Sequence, residues 1–400
     1  MVNIYGKHKR VLIRVDFNVP VHNGKITDLN RVRSALPTIN YFLNLNMSVV
    51  LMSHFGRPKE VDQQYSLKFL IEPLSKLLNK KVSFCSEISE DNKRLFEKME
   101  MKDVMLLENL RFYPGETSNH HAFAKLLSDY GDIYVNDAFG VSHRKHASID
   151  KIQEYFPKKK YIGFLVEKEY NQLQIIKTKP LAPYTVIVGG SKIGSKIHML
   201  KAFLNVANHI LIGGGMAFPF IKYLGGAIGT SLCNNDELDV VQEFLSESKK
   251  STTKIILPKD CVTTSSLRDI NSIVVNDIMS IPPNLMGVDI GPKTITMFND
   301  IIINSKSIMW NGPMGVSEID TFSNGTRRVG ETVVKATQAG AYSLIGGGDT
   351  VSDISRFGIA DEFSYVSTGG GAMLEFFRNE NLPGLRGLPA IRKKPHDEKK

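Results

Sequence analysis

Short apolar runs alternate with longer amphipathic stretches along the first half of the chain. The runs are rich in Val, Ile and Leu, and they are RVLIRV (10–15), SVVLMS (48–53), DVMLLE (103–108) and DIYVND (132–137). The stretches repeat apolar residues at helical spacing, as in SLKFLIEPLSKLLNK (66–80) and HAFAKLLSDYG (121–131). Strands that alternate with helices predict parallel sheets covered by helices on both faces. Apolar runs without alternation are typical of such doubly covered strands.

The second half repeats this rhythm after one separating stretch. Its apolar runs are YTVIVGG (184–190), HILIGGG (209–215), TKIILPKD (253–260), KSIMWNGP (306–313), YSLIGGG (342–348) and FSYVSTGGG (363–371). The separating stretch, LVEKEYNQLQIIKTKPLAP (165–183), predicts a helix that ends before Pro180 and Pro183. The expected fold class is α/β, with two doubly wound, three-layer α/β/α (Rossmann-like) domains whose parallel sheets are joined by a hinge helix. Ligands of such sheets bind outside the carboxyl ends of the strands.

A chain of 400 residues is too long for one comfortable core, which also favours two domains. We expect an N-terminal domain over 1–166, an inter-domain helix and linker over 167–183, and a C-terminal domain over 184–384. The last segment, about 385–400, is expected to pack back near the first domain. Apolar and charged contents of 42% and 23% are ordinary for a soluble globular protein.

The chain is basic, with 50 Lys and Arg against 41 Asp and Glu and a net charge of +9. This balance favours an anionic partner, either a small molecule or a nucleic acid. Much of the excess lies in PKKKY (157–161) and in the C-terminal tail, where a solvated surface explains it. No aromatic-basic motif or zinc spacing accompanies it, so we expect no nucleic-acid partner.

Cysteine usage and the apolar segments bear on the compartment. The three cysteines are isolated and form no CxxC pair, which argues against a disulfide framework and a thiolate metal site. Arg14 and Asp16 interrupt the first apolar run, which excludes the core of a signal peptide. The apolar stretch 210–229 contains Pro219 and Lys222, so it predicts a strand, a turn and a buried helix instead of a membrane span. We expect a cytoplasmic protein without membrane association.

Basic and polar side chains follow four apolar runs of the first half. The motifs are RVDFN (14–18), SHFGRP (53–58), LLENLRF (106–112) and FGVSHRKHAS (139–148), and Arg31 and Arg33 begin the next predicted helix. Arginines that converge at the strand ends predict a pocket for a small, multiply charged anion. The alternative is that each arginine forms a local ion pair at the surface. The histidines His54, His143 and His146 are too scattered for a metal motif.

Three apolar runs of the second half end in triple glycines, in HILIGGGMAF (209–218), SLIGGGDTVSD (343–353) and YVSTGGGAML (365–374). Backbone amides at a glycine turn that leads into a helix favour bound anions. GGSKIGSK (189–196) resembles a Walker loop but has Ser195 and Lys196 in the wrong order. Lys192 and Lys196 are expected one helical turn apart, on one face. Asp349 is either the N-cap of a helix or a ligand of Mg²⁺.

Nine motifs occur in the order in which the phosphoglycerate kinase family has them. They are RVDFNVP, SHFGRP, LLENLRF, NDAFGVSHR, GGSKIGSKI, IGGGMAF, WNGPMGVSE, IGGGDT and VSTGGGA. The chain closely resembles this family from about residue 9 to about residue 385. The resemblance implies a monomer that transfers a phosphoryl group between 1,3-bisphosphoglycerate and ADP, giving 3-phosphoglycerate and ATP. It further implies that the N-terminal domain binds the glycerate and the C-terminal domain binds the nucleotide with Mg²⁺.

The resemblance also assigns residues to the two sites by their motifs. The glycerate would be bound by Asp16, Asn18, Arg31, His54, Phe55, Gly56, Arg57, Arg111 and Arg144. The nucleotide would be bound by Lys192, Lys196, Gly213, Gly291, Asn311, Glu318, Gly347, Gly348, Asp349 and Thr350. Within that set, Glu318 would contact the ribose hydroxyls and Asp349 would bind Mg²⁺. The phosphoryl group in transit would be contacted by Arg31, Lys196, Gly370 and Gly371.

The implied chemistry needs no general base, because the attacking oxygen belongs to a carboxylate or to ADP and is already ionised at pH 7. We expect direct in-line transfer with hinge-bending closure of the domains, which excludes water. Phe55 and Ser195 stand where many members have Leu and Asp. The alternatives are a nicotinamide-dinucleotide-dependent dehydrogenase of two α/β domains, disfavoured by the missing GxGxxG, and a non-catalytic nucleic-acid-binding protein.

Overall fold

The computed structural model describes residues 9–22, 24–92, 96–194, 196–379 and 381–391. Within them the chain divides into two compact units. The described parts of Met1–Asn171 and Asn379–Lys400 form the first unit, and Gln172–Arg378 forms the second. The chain therefore leaves the first unit, completes the second, and returns to the first.

The first unit is built on a six-stranded sheet. Its strands and a short hairpin are, in chain order, β1 (Arg10–Val15), β2 (Val21–His22), β3 (Lys25–Ile26), β4 (Ser48–Met52), β5 (Val82–Cys85), β6 (Val104–Leu107), β7 (Ile133–Asp137) and β8 (Lys160–Ile162). The sheet has the order β5-β6-β4-β1-β7-β8, and all its neighbours pair in parallel. Every residue of β4, β6 and β7 is buried, which fits strands covered on both faces.

Helices accompany this sheet, and the longer ones bury one apolar stripe each. They are α1 (Asn30–Asn44), α2 (Ile71–Leu78), α3 (Pro114–Thr117), α4 (His121–Ser128) and α5 (Phe164–Thr178). Helix α1 buries Val32, Ala35, Ile39 and Phe42, which recur every three or four residues and so share one face. Helix α5 occupies the stretch for which a helix was predicted, and the boundary between the units falls inside it.

The second unit contains a second six-stranded parallel sheet. Its strands are β9 (Tyr184–Val188), β10 (His209–Ile212), β11 (Ala227–Ile228), β12 (Lys254–Ile256), β13 (Asp260–Thr264), β14 (Val274–Asp277), β15 (Ser280–Ile281), β16 (Met286–Ile290), β17 (Ser307–Asn311), β18 (Tyr342–Gly346) and β19 (Tyr365–Val366). The large sheet has the order β12-β10-β9-β17-β18-β19. The predicted fold class, two α/β domains with parallel sheets, is confirmed.

Helices of the second unit follow most of the strands of its large sheet. They are α6 (Ile197–Phe203), α7 (Ala217–Tyr223), α8 (Asp236–Ser248), α9 (Pro292–Ile303), α10 (Asn324–Gln338), α11 (Gly348–Arg356) and α12 (Gly371–Arg378). Trp310 of β17 is fully buried between sheet and helices, and its Nε1 donates to the carbonyl oxygen of Gly312 at 2.9 Å. No helix in the described ranges is both long and apolar enough to span a membrane.

One part of the second unit departs from the predicted alternation. Strands β14, β13 and β16 form an antiparallel sheet, and β11 pairs with β15. The sequence pattern did not predict this antiparallel sheet. Val274–Asp277 has two exposed valines followed by Asn and Asp, and it lacks a continuous apolar run. This small sheet supplies one wall of the candidate site.

The C-terminal segment packs on the first unit. The amide of Ile162 donates to the carbonyl oxygen of Pro389 at 3.0 Å, which extends the sheet edge at β8. Asn136 Nδ2 donates to the carbonyl oxygen of Gly384 at 2.7 Å, and Ile391 joins the apolar core. Residues 392–400, the rest of the predicted returning segment, lie outside the described residues.

Candidate active site

Arg14 lies beneath the basic end of the first sheet and is completely buried. Its Nε donates to Ser148 Oγ at 2.9 Å, and another guanidinium nitrogen donates to the Val15 carbonyl oxygen. The buried carboxylate of Glu116 accepts from Ser148 Oγ at 2.6 Å. Burial lowers the pKa of Arg14, and Glu116 acts in the opposite direction. The expectation that Arg14 joins a surface pocket is therefore wrong, because its charge is compensated inside the domain.

Arg14 also fixes the protonation of His54. The distance from Arg14 NH2 to His54 Nδ1 is 3.3 Å, and an arginine nitrogen can only donate. Nδ1 therefore accepts, which places the ring proton on Nε2 of a neutral imidazole. Burial holds the pKa of His54 well below its ordinary value, although Asp16 favours the charged form. His54 can thus offer one Nε2–H donor to a bound anion.

Asp16 organises the residues at the carboxyl end of β1. Its Oδ2 lies 2.7 Å from Arg31 NH1, and its Oδ1 accepts from the Asn18 amide at 3.4 Å. Burial disfavours the charged form, yet Arg31, Arg14 and the Asn18 amide keep the pKa of Asp16 below its ordinary value. Asn18 Oδ1 in turn accepts from the amide of Gly56 at 2.9 Å. These contacts join the ends of β1 and β4 at one place.

The loop after β4 uses its residues in different ways. The Phe55 ring packs on Phe69 with the ring centres 5.0 Å apart, so this side chain belongs to the core. Gly56 has φ +61°, and a Cβ there would lie 2.3 Å from the Tyr65 ring, so only glycine fits. Asn109, which sequence reasoning missed, accepts from the Phe55 amide at 3.1 Å and donates to its carbonyl oxygen at 2.8 Å.

Three arginines at this end of the sheet, Arg57, Arg111 and Arg144, carry uncompensated charge. Arg111 NH1 donates to the Gly56 carbonyl oxygen at 2.7 Å, and Arg111 Nε is buried with no hydrogen bond. Burial, together with Arg144, lowers the pKa of Arg111 to about 10, and burial and Arg57 lower that of Arg144. Among the described residues, no carboxylate lies within 4.0 Å of the nitrogens of these three side chains. Local ion pairing thus does not explain them.

Lys196 lies within the glycine turns of the second unit. Its Nζ donates to the carbonyl oxygen of Gly189 at 2.5 Å and to that of Asn311 at 3.3 Å. Helix α6 begins only at Ile197, so Lys192 and Lys196 are not on one helical face as expected. Lys192 is exposed, and Ser195 lies outside the described residues. The predicted helical spacing failed because these lysines belong to the loop between β9 and α6.

The stretch Gly346–Thr350 joins β18 to α11. Gly347 has φ +97° and is the N-cap, which excludes the N-cap role considered for Asp349. Asp349 lies exposed in the first turn of the helix. Thr350 Oγ1 accepts from the Gly312 amide at 2.6 Å, and Asn311 Nδ2 donates to the Gly346 carbonyl oxygen at 3.0 Å. Asn311 and Thr350 are buried and hold the two turns together.

Other glycines named from the motifs shape the turns. Gly213 packs under Met314, and a Cβ there would lie 2.5 Å from the Met314 sulfur. Gly291 is the N-cap of α9, and its amide donates to the Asp260 carbonyl oxygen at 3.0 Å. Gly370 has φ +47° and precedes α12, which begins at Gly371.

A cavity of about 700 Å³ opens beside these turns, entirely within the second unit. Its volume lies in the range of small-molecule sites. Its polar lining includes Gly190, Gly214, Gly215, Asp289, Glu318 and Asp349. Its apolar lining includes Phe218, Leu232, Cys261, Leu267, Ile278 and Val288. Gly213, Gly291 and the lysines lie next to lining residues and do not line the cavity themselves.

Comparison with known proteins identifies this arrangement. The family model described as phosphoglycerate kinase matches residues 1–380. The chain belongs to the phosphoglycerate kinase family. It is 45% identical over 388 residues to the phosphoglycerate kinase of Thermosipho africanus, covering 96% of this chain and 95% of that protein. It is 43% identical over 383 residues to that of Dictyoglomus turgidum, covering 96% of each.

Solved structures agree with the sequence relatives. The phosphoglycerate kinase from Coxiella burnetii has a TM-score of 0.83 and 37% identity, covering 94% of this chain and 95% of that one. The phosphoglycerate kinase from Pyrococcus horikoshii OT3 has a TM-score of 0.80 and 30% identity, covering 96% of each. The predicted family, and with it a kinase, is confirmed.

The IGGGDT motif brings the carboxylate of Asp349 to the cavity. Among the described residues, no group of three or more His, Cys, Asp or Glu could hold an ion. Asp349 is exposed and lines the cavity at a helix N-terminus. Mg²⁺ commonly takes one or two carboxylates and completes its shell with water and phosphate oxygens. The donor set therefore fits Mg²⁺ that arrives with a nucleotide and does not fit a permanent protein-bound ion.

Proposed function

We propose that the chain transfers a phosphoryl group reversibly between 1,3-bisphosphoglycerate and ADP, giving 3-phosphoglycerate and ATP, as a step of glycolysis and gluconeogenesis. The observation that carries the proposal is the group of three arginines, Arg57, Arg111 and Arg144, without carboxylate partners in the described residues. At pH 7 a phosphate monoester carries nearly two negative charges and a carboxylate carries one. 3-Phosphoglycerate thus matches the positive charge that these side chains leave uncompensated.

The remaining residues of this end give the anion an orientation. Arg31 is half-exposed and paired with Asp16, so it can turn one nitrogen to a ligand while the pair keeps it in place. His54 offers its Nε2–H, and Asn18 and Gly56 hold the loop that carries Arg57. Bidentate arginine contacts fix a phosphate and a carboxylate more strictly than lysines would.

The nucleotide is proposed to bind in the cavity of the second unit. The apolar lining suits a base, while Glu318 at the rim suits ribose hydroxyls, which donate to a carboxylate. The amides around Gly214 and Gly348 and the start of α11 suit the phosphates. On nucleotide binding, the ammonium group of Lys196 would leave the carbonyl oxygens of Gly189 and Asn311 and bind a phosphate oxygen instead. Asn311 and Thr350 would act by shaping the turns, since both are buried.

Asp349 is proposed to bind Mg²⁺ that enters with the nucleotide. When bound, Mg²⁺ would neutralise charge on the nucleotide phosphates. The protein's own part is alignment and charge stabilisation, since neither attacking oxygen needs to lose a proton. Arg31, Lys196 and the amides of Gly370 and Gly371 would contact the oxygens of the group in transit.

The proposal assigns the two substrates to different units, so direct transfer needs both units to bring their ligands within reach. Acyl phosphates hydrolyse readily, and the same approach would exclude water. We further propose that the enzyme acts as a cytoplasmic monomer and that nucleic acid is not a partner. The dehydrogenase alternative has no support in the family assignment.

A coupled assay tests the proposed function. The purified chain with 3-phosphoglycerate, ATP and Mg²⁺ should form 1,3-bisphosphoglycerate, detected by NADH oxidation through a coupling dehydrogenase. Omission of Mg²⁺ or of 3-phosphoglycerate should abolish turnover. Glycerate without its phosphate serves as the control substrate. No turnover with the complete mixture, or equal turnover with glycerate, would contradict the proposal.

A further inference from the structure

The rim segment, residues 317–320, borders the cavity and is held by side chains of α11. Arg356, the last residue of that helix, donates to the carbonyl oxygen of Ser317 and pairs with Asp320. Asp353, one turn earlier, accepts from Ser317 Oγ at 2.5 Å through Oδ2. Its Oδ1 lies 3.0 Å from Arg356 NH2. Side chains of α11 thus bind the rim segment at both of its ends, Ser317 and Asp320.

These contacts bracket Glu318. The residue before it is bound through both its hydroxyl and its carbonyl oxygen, and Asp320 is bound two residues after it. Glu318 itself is exposed and lines the cavity. Within the described part of the chain, no hydrogen bond or ion pair engages its carboxylate. The backbone of Glu318 is therefore fixed while its carboxylate stays available to a ligand.

We propose that Arg356 and Asp353 are positioning residues that aim Glu318 at the ribose hydroxyls of a nucleoside diphosphate. The inference rests on the proposed function, because it takes the nucleotide as the ligand of this cavity. A carboxylate whose backbone is already ordered loses less conformational entropy on binding than one on a free loop. Its hydrogen bonds to hydroxyls then contribute more of their strength to affinity.

Helix α11 gives this arrangement a second property. Asp349 lies in its first turn and Arg356 in its last, seven residues apart. At about 1.5 Å per residue, the two positions are separated by about 10 Å along the axis. The same rigid element thus sets where the phosphate end and the ribose end of the nucleotide are bound.

Equilibrium binding of ADP, 2′-deoxy-ADP and 3′-deoxy-ADP by titration calorimetry tests the proposal. We expect the wild type to prefer ADP by about tenfold, the range for a hydrogen bond to a charged group. Arg356→Gln should weaken the binding of ADP without weakening that of the two deoxy analogues. The preference for ADP should therefore fall to about twofold. Glu318→Ala should remove the preference, because it leaves no side-chain acceptor for the ribose hydroxyls, and the double variant should match Glu318→Ala, since coupled residues are not additive.

Arg327→Gln is the matched control. Arg327 stacks on the Phe357 ring at 4.1 Å, as Arg356 does at 5.0 Å, but among the described residues it makes no side-chain hydrogen bond or ion pair with the rim segment. Its loss should leave the preference unchanged. Ser317→Ala, which removes only the hydroxyl bond to Asp353, is the milder variant if Arg356→Gln folds poorly. It should reduce the preference about threefold.

The inference is overturned if Arg356→Gln and Ser317→Ala retain the wild-type preference. It is also overturned if the binding of all three ligands weakens equally, or if the effects of Arg356→Gln and Glu318→Ala multiply. Failure of the proposed function would be visible separately. In that case the wild type would bind ADP with its ribose preference but show no turnover with 3-phosphoglycerate, whereas loss of ADP binding itself would reject both.

Discussion

The Nζ atom of Lys196 lies 2.5 Å from the carbonyl oxygen of Gly189. The ammonium group is thus bound by the turn that carries it and is largely shielded from water. Burial lowers the pKa of Lys196 to about 8, although Asp349 favours the charged form. A lysine with this pKa loses its charge within the range where the enzyme can be assayed.

We expect kcat/KM for ADP to fall as the pH rises through about 8, because kcat/KM reports the free enzyme and neutral lysine cannot stabilise phosphate charge. The fall in kcat should come at higher pH, since bound phosphates favour the charged lysine. Initial rates between pH 6.5 and 9.5 measure both. The Lys196→Arg variant should not show this fall of kcat/KM near pH 8, because arginine does not titrate in that range. If kcat/KM of that variant still fell near pH 8, another group would be responsible for the titration.

Arg31→Ala should reduce turnover at saturating substrates about a hundredfold, as expected for one cation lost from a transferring phosphoryl group. Arg33→Ala is the matched control, because Arg33 lies two residues away on α1 and is exposed. It should leave turnover unchanged in the coupled assay. Near-normal turnover of Arg31→Ala, or an equal loss in both variants, would reject this role of Arg31.

Gly347 and Gly348 should respond differently to alanine. Gly347 has φ +97°, and a Cβ there would lie 2.7 Å from Asn311 Nδ2, whereas a Cβ at Gly348 has nothing within 4 Å. Gly347→Ala should reduce the free energy of unfolding by about 2 kcal/mol through backbone strain. Gly348→Ala should change it by less than about 1 kcal/mol, because position 348 is helical. Urea unfolding of both variants measures the difference, and equal stabilities would contradict the strain argument.

Asp137 should make stability depend on pH. Its carboxyl is buried, and Oδ2 has no hydrogen bond. Burial raises its pKa to about 7. Between about pH 4 and 7 the folded state then binds more protons at this residue than the unfolded chain, so its contribution to stability falls as the pH rises.

Asp137→Asn should flatten the decrease in unfolding free energy between pH 5 and 7.5, measured by urea titration. The asparagine oxygen can still accept from the Leu165 amide, which Asp137 contacts at 3.0 Å. Burial also raises the pKa of Asp289 to about 7. Asp289 should therefore contribute separately to the decrease in unfolding free energy over this pH range. A pH profile unchanged in Asp137→Asn would mean that this carboxyl does not titrate in the range.

Substrates bound together should make the protein more compact. The proposed sites belong to different units, and transfer requires their ligands to meet. Small-angle scattering should give a smaller radius of gyration with both ADP and 3-phosphoglycerate than with either alone. Glycerate in place of 3-phosphoglycerate is the control. An unchanged radius with both substrates would contradict closure.

Sequence reasoning succeeded where the information is local. Apolar runs such as RVLIRV and YTVIVGG form central strands, and Gly347 adopts the positive φ for which glycine is suited. The family motifs also identified the kinase. These features depend on spacing within about ten residues, which the sequence displays directly.

Features made by distant residues were not predictable in the same way. Arg14 follows an apolar run like the other arginines, but its partner Ser148 lies 134 residues away, and their contact places Arg14 inside the domain. Asp289, Asp353 and Arg356 carry no motif, and only the folded chain brings them to the cavity. Lys192 and Lys196 were placed on a helix because the start of α6 has no capping residue that marks it.

The pairing of Ile162 with Ala390 bears on how the protein is made. The first sheet is otherwise complete at Ile162, yet its last edge contact comes from a segment synthesised more than 200 residues later. On the ribosome the second unit emerges before that segment, so it can fold while the first is still unfinished. Ile391, the most C-terminal core residue in the described part of the chain, is likewise synthesised after the whole second unit. Completion of the half that we propose to bind phosphoglycerate thereby follows synthesis of the half that we propose to bind the nucleotide.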